Sequence, residues 1–166
     1  MTRLVMVEWS TYDLGKCRAV RCSFAGPILI LGNSMVRVAG VMCAKAATIS
    51  LRYATVRRQG PGTPEPAIIN HPSLHTRLLP ILSRAYVFLG LAPLIVASFN
   101  AMTEKLKEGD ASLLAQVHSR TAGLKVLCTS RAIEDLEMGR RSMGGHGFSA
   151  HSGLGRMYAD YVPSAT

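Results

Sequence analysis

Aromatic residues and acidic residues are scarce in this sequence, and both shortages narrow what the protein can bind. Aromatic side chains make up only 6% of the 166 residues, so few platforms exist for stacking bases. The 19 lysines and arginines are spread along the chain without a polybasic tract, which also disfavours a nucleic-acid-binding protein. They outnumber the 10 acidic residues and give a net charge of +9. That charge alone is compatible with nucleic acid, an anionic membrane or a phosphate-bearing small molecule.

Metal-binding patterns and cysteine pairs are also missing. The four cysteines form no CxxC motif and stand at positions 17, 22, 43 and 128. Neither a zinc site nor a disulfide framework is indicated, and a reducing compartment fits best. The pairs His71 with His75 and His146 with His151 lack a third ligand at a recognisable spacing. We therefore predict no metal site and expect these histidines to lie on helix surfaces or to form hydrogen bonds.

Long uninterrupted apolar runs are absent as well. The longest candidate, from Gly26 to Leu51, contains Asn33, Arg37 and Lys45, so it predicts a packed helix and no membrane span. The N-terminus does not follow the order of a signal peptide, and secretion is not indicated.

The residues that are present predict an all-α fold with three long antiparallel helices. Apolar residues recur at three- and four-residue spacings from Ile28 to Val56, and the Gly- and Pro-rich segment 60–66 ends that helix. A second helix begins at His71 or Pro72, with Pro93 expected to kink or split it. Asp110 is the predicted N-cap of a third helix that reaches about Arg140.

The remaining segments have weaker patterns. Residues 1–25 show no period and stay unassigned, and Met143–Gly155 is too rich in Gly and Ser for regular structure. A short helix or extended tail closes the chain. Three helices with apolar stripes do not exclude solvent from all their faces, so a fourth helix or a second copy of the chain is needed to complete the core.

Two segments could bind a ligand. Arg52–Gln59, with the sequence RYATVRRQ, places three arginines near a helix end, where they either complement the helix dipole or clamp a phosphate. Gly144–Gly153 is either a flexible linker or a place where the backbone approaches a flat or phosphorylated ligand. It lacks the spacing of a dinucleotide-binding Gly-rich motif. Glu134 and Glu137 lie among basic residues and are predicted to form solvated helix pairs.

Three segments in order resemble the acyl-CoA oxidase family: RYATVRRQ, then residues 64–82 (PEPAIINHPSLHTRLLPIL), then residues 118–166, which contain MGGHGFSAHSG. The resemblance runs from about residue 27 to the end. It implies that residues 26–166 are part of the C-terminal α-helical domain of a peroxisomal, FAD-dependent enzyme that acts on fatty acyl-CoA as a homodimer.

The resemblance also implies the cofactor-binding residues. In the first segment these are Arg57 and Gln59, which would touch FAD from the neighbouring subunit. In the glycine-rich segment they are Gly144, Gly145, His146, Gly147 and Phe148. Gly60 stands where related dehydrogenases carry an aromatic residue.

The family reaction is the oxidation of acyl-CoA to trans-2-enoyl-CoA, with O2 reduced to hydrogen peroxide. Its catalytic glutamate is expected soon after the stretch that matches YVPSAT, beyond Thr166, so the isolated chain is predicted to be inactive. Two alternatives are a fragment of an acyl-CoA dehydrogenase and a truncated, non-catalytic module that dimerises with an intact subunit.

Overall fold

The chain folds almost entirely into helices. The structure, a computed structural model, describes the backbone of residues 18–165 and the side chains of residues 31–165. The long helices are α1 (Arg18–Val56), α2 (Pro72–Lys107) and α3 (Leu114–Ser142). The shorter ones are α4 (Gly145–Phe148), α5 (Leu154–Tyr161) and 3₁₀ turns at Ile68–Asn70, Ala150–Ser152 and Val162–Ala165. The described part contains no β-strand, so the all-α prediction is confirmed, while residues 1–17 lie outside it.

The three long helices alternate in direction, which confirms the predicted antiparallel order. Gly32 of α1 lies beside Thr121 of α3, and Ala46 of α1 lies beside Gly139 of α3. Residue numbers on α1 and α3 therefore rise together, so these two helices are parallel. The helix between them, α2, runs the opposite way. As a result, the C-terminal ends of α1 and α3 lie at the same end of the bundle.

Small residues let α1 approach both of its neighbours closely. Its buried face consists mainly of Ala39, Cys43, Ala46, Ala47, Ser50 and Ala54. A methyl group added at Gly40 would come within 3.0 Å of the backbone nitrogen of Leu89 in α2. Such short separations leave little space for larger side chains, so the apolar contacts along α1 are made largely by the longer residues of α2 and α3. The short helix α5 covers α3 through the buried residues Leu154 and Tyr161, and burial raises the pKa of Tyr161 to about 12.

The expectations for Asp110 and for residues 143–155 are wrong, and of the kink or split expected at Pro93 the split does not occur. α2 is not split at Pro93, because the buried residues Phe88, Ala92 and Ile95 hold it on both sides of the proline, whose ring is exposed. Asp110 is not the N-cap of α3, which begins at Leu114.

The side chain of Asp110 instead accepts hydrogen bonds from the backbone nitrogen and the hydroxyl group of Ser112, at 2.9 and 3.0 Å, and closes a local turn before the helix. The segment 143–155 does contain regular structure, namely α4 and a 3₁₀ turn. Gly144, with a φ of +58°, redirects the chain there, and the Ser149 side chain caps the 3₁₀ turn by accepting from the nitrogen of His151.

An ion pair between a buried carboxylate and a partly buried guanidinium links the three long helices. Asp135 of α3 has no exposed surface, and its carboxylate accepts two hydrogen bonds from the Arg84 guanidinium of α2, one of them 2.8 Å long from Nε to Oδ2. The Cys43 thiol of α1 lies 3.5 Å from Oδ2 and donates to it. Burial first, and then the neighbouring carboxylate, raises the pKa of that thiol. The carboxylate is thus bound from two other helices at once.

Cys43 and Cys128 are free and buried, and the side chains of Cys17 and Cys22 lie outside the described residues. Cys43 sits between α1 and α3, as its contact with Asp135 shows. The burial of Cys128 likewise raises its pKa. Both thiols therefore act as small core residues.

One face of α2 is apolar and uncovered. Leu79, Tyr86, Val87 and Leu94 are all more than half exposed, and Leu94 retains 64% of its accessible surface. Two of the described helical segments, Leu31–Val56 and Pro72–Lys107, are long and apolar enough to cross a membrane by length and composition, a test that core helices of soluble proteins also pass. The exposed row agrees with the expectation that the bundle needs a further element to cover it.

The ion pair leads to a prediction about stability. Replacing Arg84 with Met should leave the Asp135 carboxylate buried without its cation and lower the free energy of unfolding by about 3 kcal/mol. The double variant Arg84→Met with Asp135→Leu should be more stable than the single one, because no unpaired charge remains. Urea denaturation followed by circular dichroism measures both. A double variant less stable than the single variant would contradict this explanation.

Candidate functional site

The two segments expected to bind a ligand meet at one end of the bundle. Tyr53, near the end of α1, places its hydroxyl oxygen 2.9 Å from Nδ1 of His146, which belongs to the glycine-rich turn (residues 144–153). The two residues are 93 positions apart in the sequence. The two rings lie 5.3 Å apart between centroids, at an angle of 43°. Arg57 follows one helical turn after Tyr53, since its backbone nitrogen donates to the Tyr53 carbonyl at 2.9 Å. The parallel directions of α1 and α3 bring these segments together.

The segment after α1 is held by the loop that follows it. The nitrogen of Gln59 donates to the carbonyl of Pro66 at 3.0 Å, and the nitrogen of Ile68 donates to the carbonyl of Arg57 at 2.9 Å. The backbone is fixed while the side chains of Arg57 and Gln59 remain exposed. Because α1 ends at Val56, Arg57 and Arg58 lie beyond the helix and not in its last turns, which weakens the helix-dipole interpretation of this cluster.

The arginines in this region have different partners. Arg58 donates to the carbonyl of Glu65 at 3.1 Å. Among the described side chains, no carboxylate forms an ion pair with Arg57. An exposed guanidinium on a fixed backbone is well suited to bind an anionic group such as a phosphate.

The glycine-rich turn combines packing with exposure. Gly147 is buried, and a methyl group there would overlap the carbonyl oxygen of Arg140 at the end of α3. A methyl group at Gly144 or Gly145 would meet nothing within 4 Å. Gly147 therefore has a packing role, while Gly144 and Gly145 leave the outer surface of the turn open. Phe148 is 85% exposed beside them, and His146 is exposed as well.

Glu137 organises the end of α3 that supports this turn. Its carboxylate accepts two hydrogen bonds from Arg140, both 2.8 Å long, and one from Arg141 at 2.7 Å. These hydrogen bonds, led by those from Arg140, lower the pKa of Glu137 to about 2. Glu134 pairs separately with Arg131 on the exposed surface. The predicted helix pairs are thus confirmed, although the Glu137 side chain is only partly exposed.

The histidines at the start of α2, His71 just before the helix and His75 in its first turn, have structural roles. Nε2 of His71 lies 3.1 Å from the carbonyl of Gln59, and Nε2 of His75 lies within hydrogen-bonding distance of the carbonyl of Ile69. The predicted hydrogen-bonding role of this pair is confirmed. In the part of the chain that the structure describes, no three potential ligands cluster to bind a metal ion.

Two residues of this site were not found from the sequence. Tyr53 falls within the periodic apolar segment from Ile28 to Val56, which predicts a packing role, and its contact with His146 carries no local pattern because the partners are far apart in the chain. Glu137 was assigned as a solvated pair. The three-residue spacing between Glu137 and Arg140 is visible in the sequence. The limited exposure of the Glu137 side chain depends on how α3 ends, which the sequence pattern does not give.

Comparison with known proteins identifies the class to which this arrangement belongs. The family model for the C-alpha1 domain of acyl-CoA oxidases matches residues 28–166. The chain belongs to the acyl-CoA oxidase family. The resemblance given by the sequence motifs is thereby confirmed, and the dehydrogenase alternative is set aside.

Individual relatives agree with this family. Human peroxisomal acyl-coenzyme A oxidase 1 is 35% identical over 144 residues, which are 85% of this chain and 22% of the human protein. In structure, Arabidopsis thaliana acyl-CoA oxidase 1 matches with a TM-score of 0.83 and 32% identity over 88% of this chain and 22% of its own. The chain spans about a fifth of the length of these relatives.

A third relative was solved in several states. Caenorhabditis elegans acyl-CoA oxidase-1 complexed with FAD and ATP matches with a TM-score of 0.80 and 30% identity, over 83% of this chain and 22% of its own. Its apo form I matches with a TM-score of 0.58 and 32% identity, over 77% of this chain and 19% of its own. The present helices thus resemble the complexed form of that protein more closely.

The packing of the turn predicts that Gly147→Ala destabilises the chain by roughly 1–3 kcal/mol, because the backbone of Arg140 cannot yield as a flexible side chain would. Gly145→Ala is the matched control, since a methyl group there enters open space. Thermal unfolding of the two variants measures the difference. Equal melting temperatures for both would contradict the packing role of Gly147.

A second prediction concerns pH. The pKa of Glu137 is lowered from its ordinary value of 4.5 to about 2, so its stabilisation is complete above about pH 4.5 and is lost as the pH falls towards 2. Glu137→Gln should therefore reduce the free energy of unfolding by about 1 kcal/mol near neutral pH and by little at pH 2. Glu134→Gln, which removes the carboxylate of the exposed pair with Arg131, is the control and should change the free energy of unfolding by less. Urea titrations across this range test both, and a pH-independent effect of Glu137→Gln would contradict the assignment.

Proposed function

We propose that this chain supplies part of the FAD site of an acyl-CoA oxidase. The observation that carries the proposal is the contact between Tyr53 and His146, which joins the arginine segment and the glycine-rich turn into one surface. That surface offers an exposed guanidinium at Arg57 and an open backbone at Gly144 and Gly145. These are groups that fit a dinucleotide with phosphates and a flat ring system.

In this proposal several residues of the chain contact FAD, each through a different group. Arg57 binds phosphate oxygens through its planar donors, and Gln59 donates from its amide beside it. Gly144 and Gly145 let the cofactor approach the backbone, and the exposed ring of Phe148 packs against it. Gly147 has no direct contact in this proposal and keeps the turn seated on α3. When bound, FAD accepts the hydride that the acyl group loses.

The whole protein is proposed to oxidise fatty acyl-CoA to trans-2-enoyl-CoA and to pass the electrons to O2, which forms hydrogen peroxide. The names of the relatives, which include human peroxisomal acyl-coenzyme A oxidase 1, support this activity and a peroxisomal location. The Caenorhabditis elegans relative that was solved in complex with FAD supports FAD as the cofactor. The general base is proposed to be a glutamate that is not among these 166 residues.

A second subunit is the proposed partner of the chain. The uncovered apolar row on α2 supports an association with a second subunit that buries this face. The alternative function is a non-catalytic module that dimerises with an intact oxidase subunit. A pull-down with a full-length acyl-CoA oxidase separates the two, because the alternative requires stable association in the absence of FAD.

The cofactor site is tested by titrating the purified chain with FAD and following flavin fluorescence. Saturable binding should raise the melting temperature. Arg57→Ala should weaken binding by roughly 10- to 100-fold, because an arginine–phosphate contact is lost. Arg77→Ala, which removes an exposed arginine from α2, is the matched control and should leave binding unchanged.

Acyl-CoA added under air to the same samples should give no hydrogen peroxide, because the proposed base is a glutamate outside these 166 residues. Peroxide formation by the chain alone would contradict the assignment of the base to another part of the protein. Equal FAD affinities for the Arg57 and Arg77 variants would contradict the phosphate contact.

A further inference from the structure

The contact between Tyr53 and His146 determines more than the position of the turn. The half-buried Tyr53 ring packs against the core of the bundle, so its hydroxyl group is held by a rigid helix. His146 is exposed, and only one of its ring nitrogens, Nδ1, faces Tyr53. Within the described part of the chain, no hydrogen bond to Nε2 of His146 occurs. The exposed His146 side chain thus keeps Nε2 available to a ligand, next to the exposed residues Gly144, Gly145 and Phe148 of the same turn.

The phenol hydroxyl can donate to Nδ1 or accept from it, and the direction of this hydrogen bond is linked to which ring nitrogen carries the proton. A neutral imidazole has one donor and one acceptor nitrogen, and the partner of one nitrogen fixes the role of the other. If the phenol donates to Nδ1, that nitrogen must be unprotonated, and Nε2 must carry the hydrogen. An exposed Nε2–H is a directed donor, whereas an unprotonated Nε2 would repel the lone pairs of phosphate or carbonyl oxygens.

We propose that Tyr53 is a positioning residue that holds His146 as the Nε2–H tautomer, so that His146 donates a hydrogen bond to an acceptor oxygen of the cofactor. This inference rests on the proposed function for the identity of the ligand, but not for the tautomer itself. It assigns a role to a tyrosine that touches no ligand, and it explains why a polar ring lies on the apolar face of α1 at this position. The bare turn, without Tyr53, would present a mixture of donor and acceptor at Nε2.

The tautomer is measured on the full chain with 15N-labelled histidine. Long-range 1H–15N correlation spectra at about pH 8, where an ordinary imidazole is neutral, distinguish protonated from unprotonated ring nitrogens. His146→Gln identifies the resonances of His146. We expect Nε2 to be protonated and Nδ1 unprotonated. In Tyr53→Phe the two resonances should move towards each other as the tautomers mix.

The phenylalanine keeps the aromatic ring, so a role of Tyr53 in packing alone would not change the spectrum. Tyr86→Phe, which removes an exposed hydroxyl group from α2, is the matched control and should leave His146 unchanged. A protonated Nδ1 in the unsubstituted chain would overturn the proposal. An unchanged spectrum in Tyr53→Phe would overturn it as well.

FAD binding to the same proteins tests the donor. Tyr53→Phe should weaken binding roughly 2- to 10-fold. His146→Gln places an amide donor near the position of Nε2, whereas His146→Asn places one near Nδ1, so the glutamine variant should bind FAD more tightly than the asparagine variant. The reverse order, or unchanged affinity in Tyr53→Phe, would overturn the donor role. An unsubstituted chain that binds no FAD would refute the proposed function, and the spectra would still decide the role of Tyr53.

Discussion

The buried carboxylate of Asp135 is the constraint on which the helical arrangement depends. A charge without solvent contact is tolerated only when its partners are close and well directed, and here the partners come from two other helices. Apolar side chains would permit the helices to slide by a turn at modest cost. The two donors of the Arg84 guanidinium prevent such sliding, because they reach the Asp135 carboxylate in only one register of the helices. The contact thus sets how far along each helix its neighbours lie.

That register has its effect at the end of the bundle where α1 and α3 finish. With α1 and α3 parallel and in fixed alignment, the last turns of both helices lie side by side, and the segments that follow them share one surface. The small residues along α1 keep the two helices close. Gly147 then seats the turn on the end of α3, and Glu137 holds the two arginines before it. The site is therefore built by the ends of rigid helices, and its chemically useful groups need not be buried.

Much of this could be predicted from the sequence, and the failures have physical reasons. The three-to-four-residue spacing of apolar residues predicted the long helices because periodicity survives in any packing arrangement. The predicted split at Pro93 does not occur because buried contacts on both sides of the proline outweigh the loss of one backbone hydrogen bond. The predicted N-cap at Asp110 is wrong because an aspartate side chain closes a turn as readily as it caps a helix. Arg57 and the glycine-rich turn were predicted as separate candidates. Their proximity depends on the alignment of α1 with α3, which no local pattern encodes.

The uncovered row on α2 has a consequence for the life of the polypeptide in the cell. Leu79, Tyr86, Val87 and Leu94 form the kind of surface that chaperones hold and that quality-control proteases inspect, and a chain that keeps it exposed is treated as unassembled. When the proposed second subunit covers the row, this surface is no longer accessible to chaperones and proteases. We therefore expect the polypeptide to accumulate in the cell only when the proposed second subunit is present to cover the row.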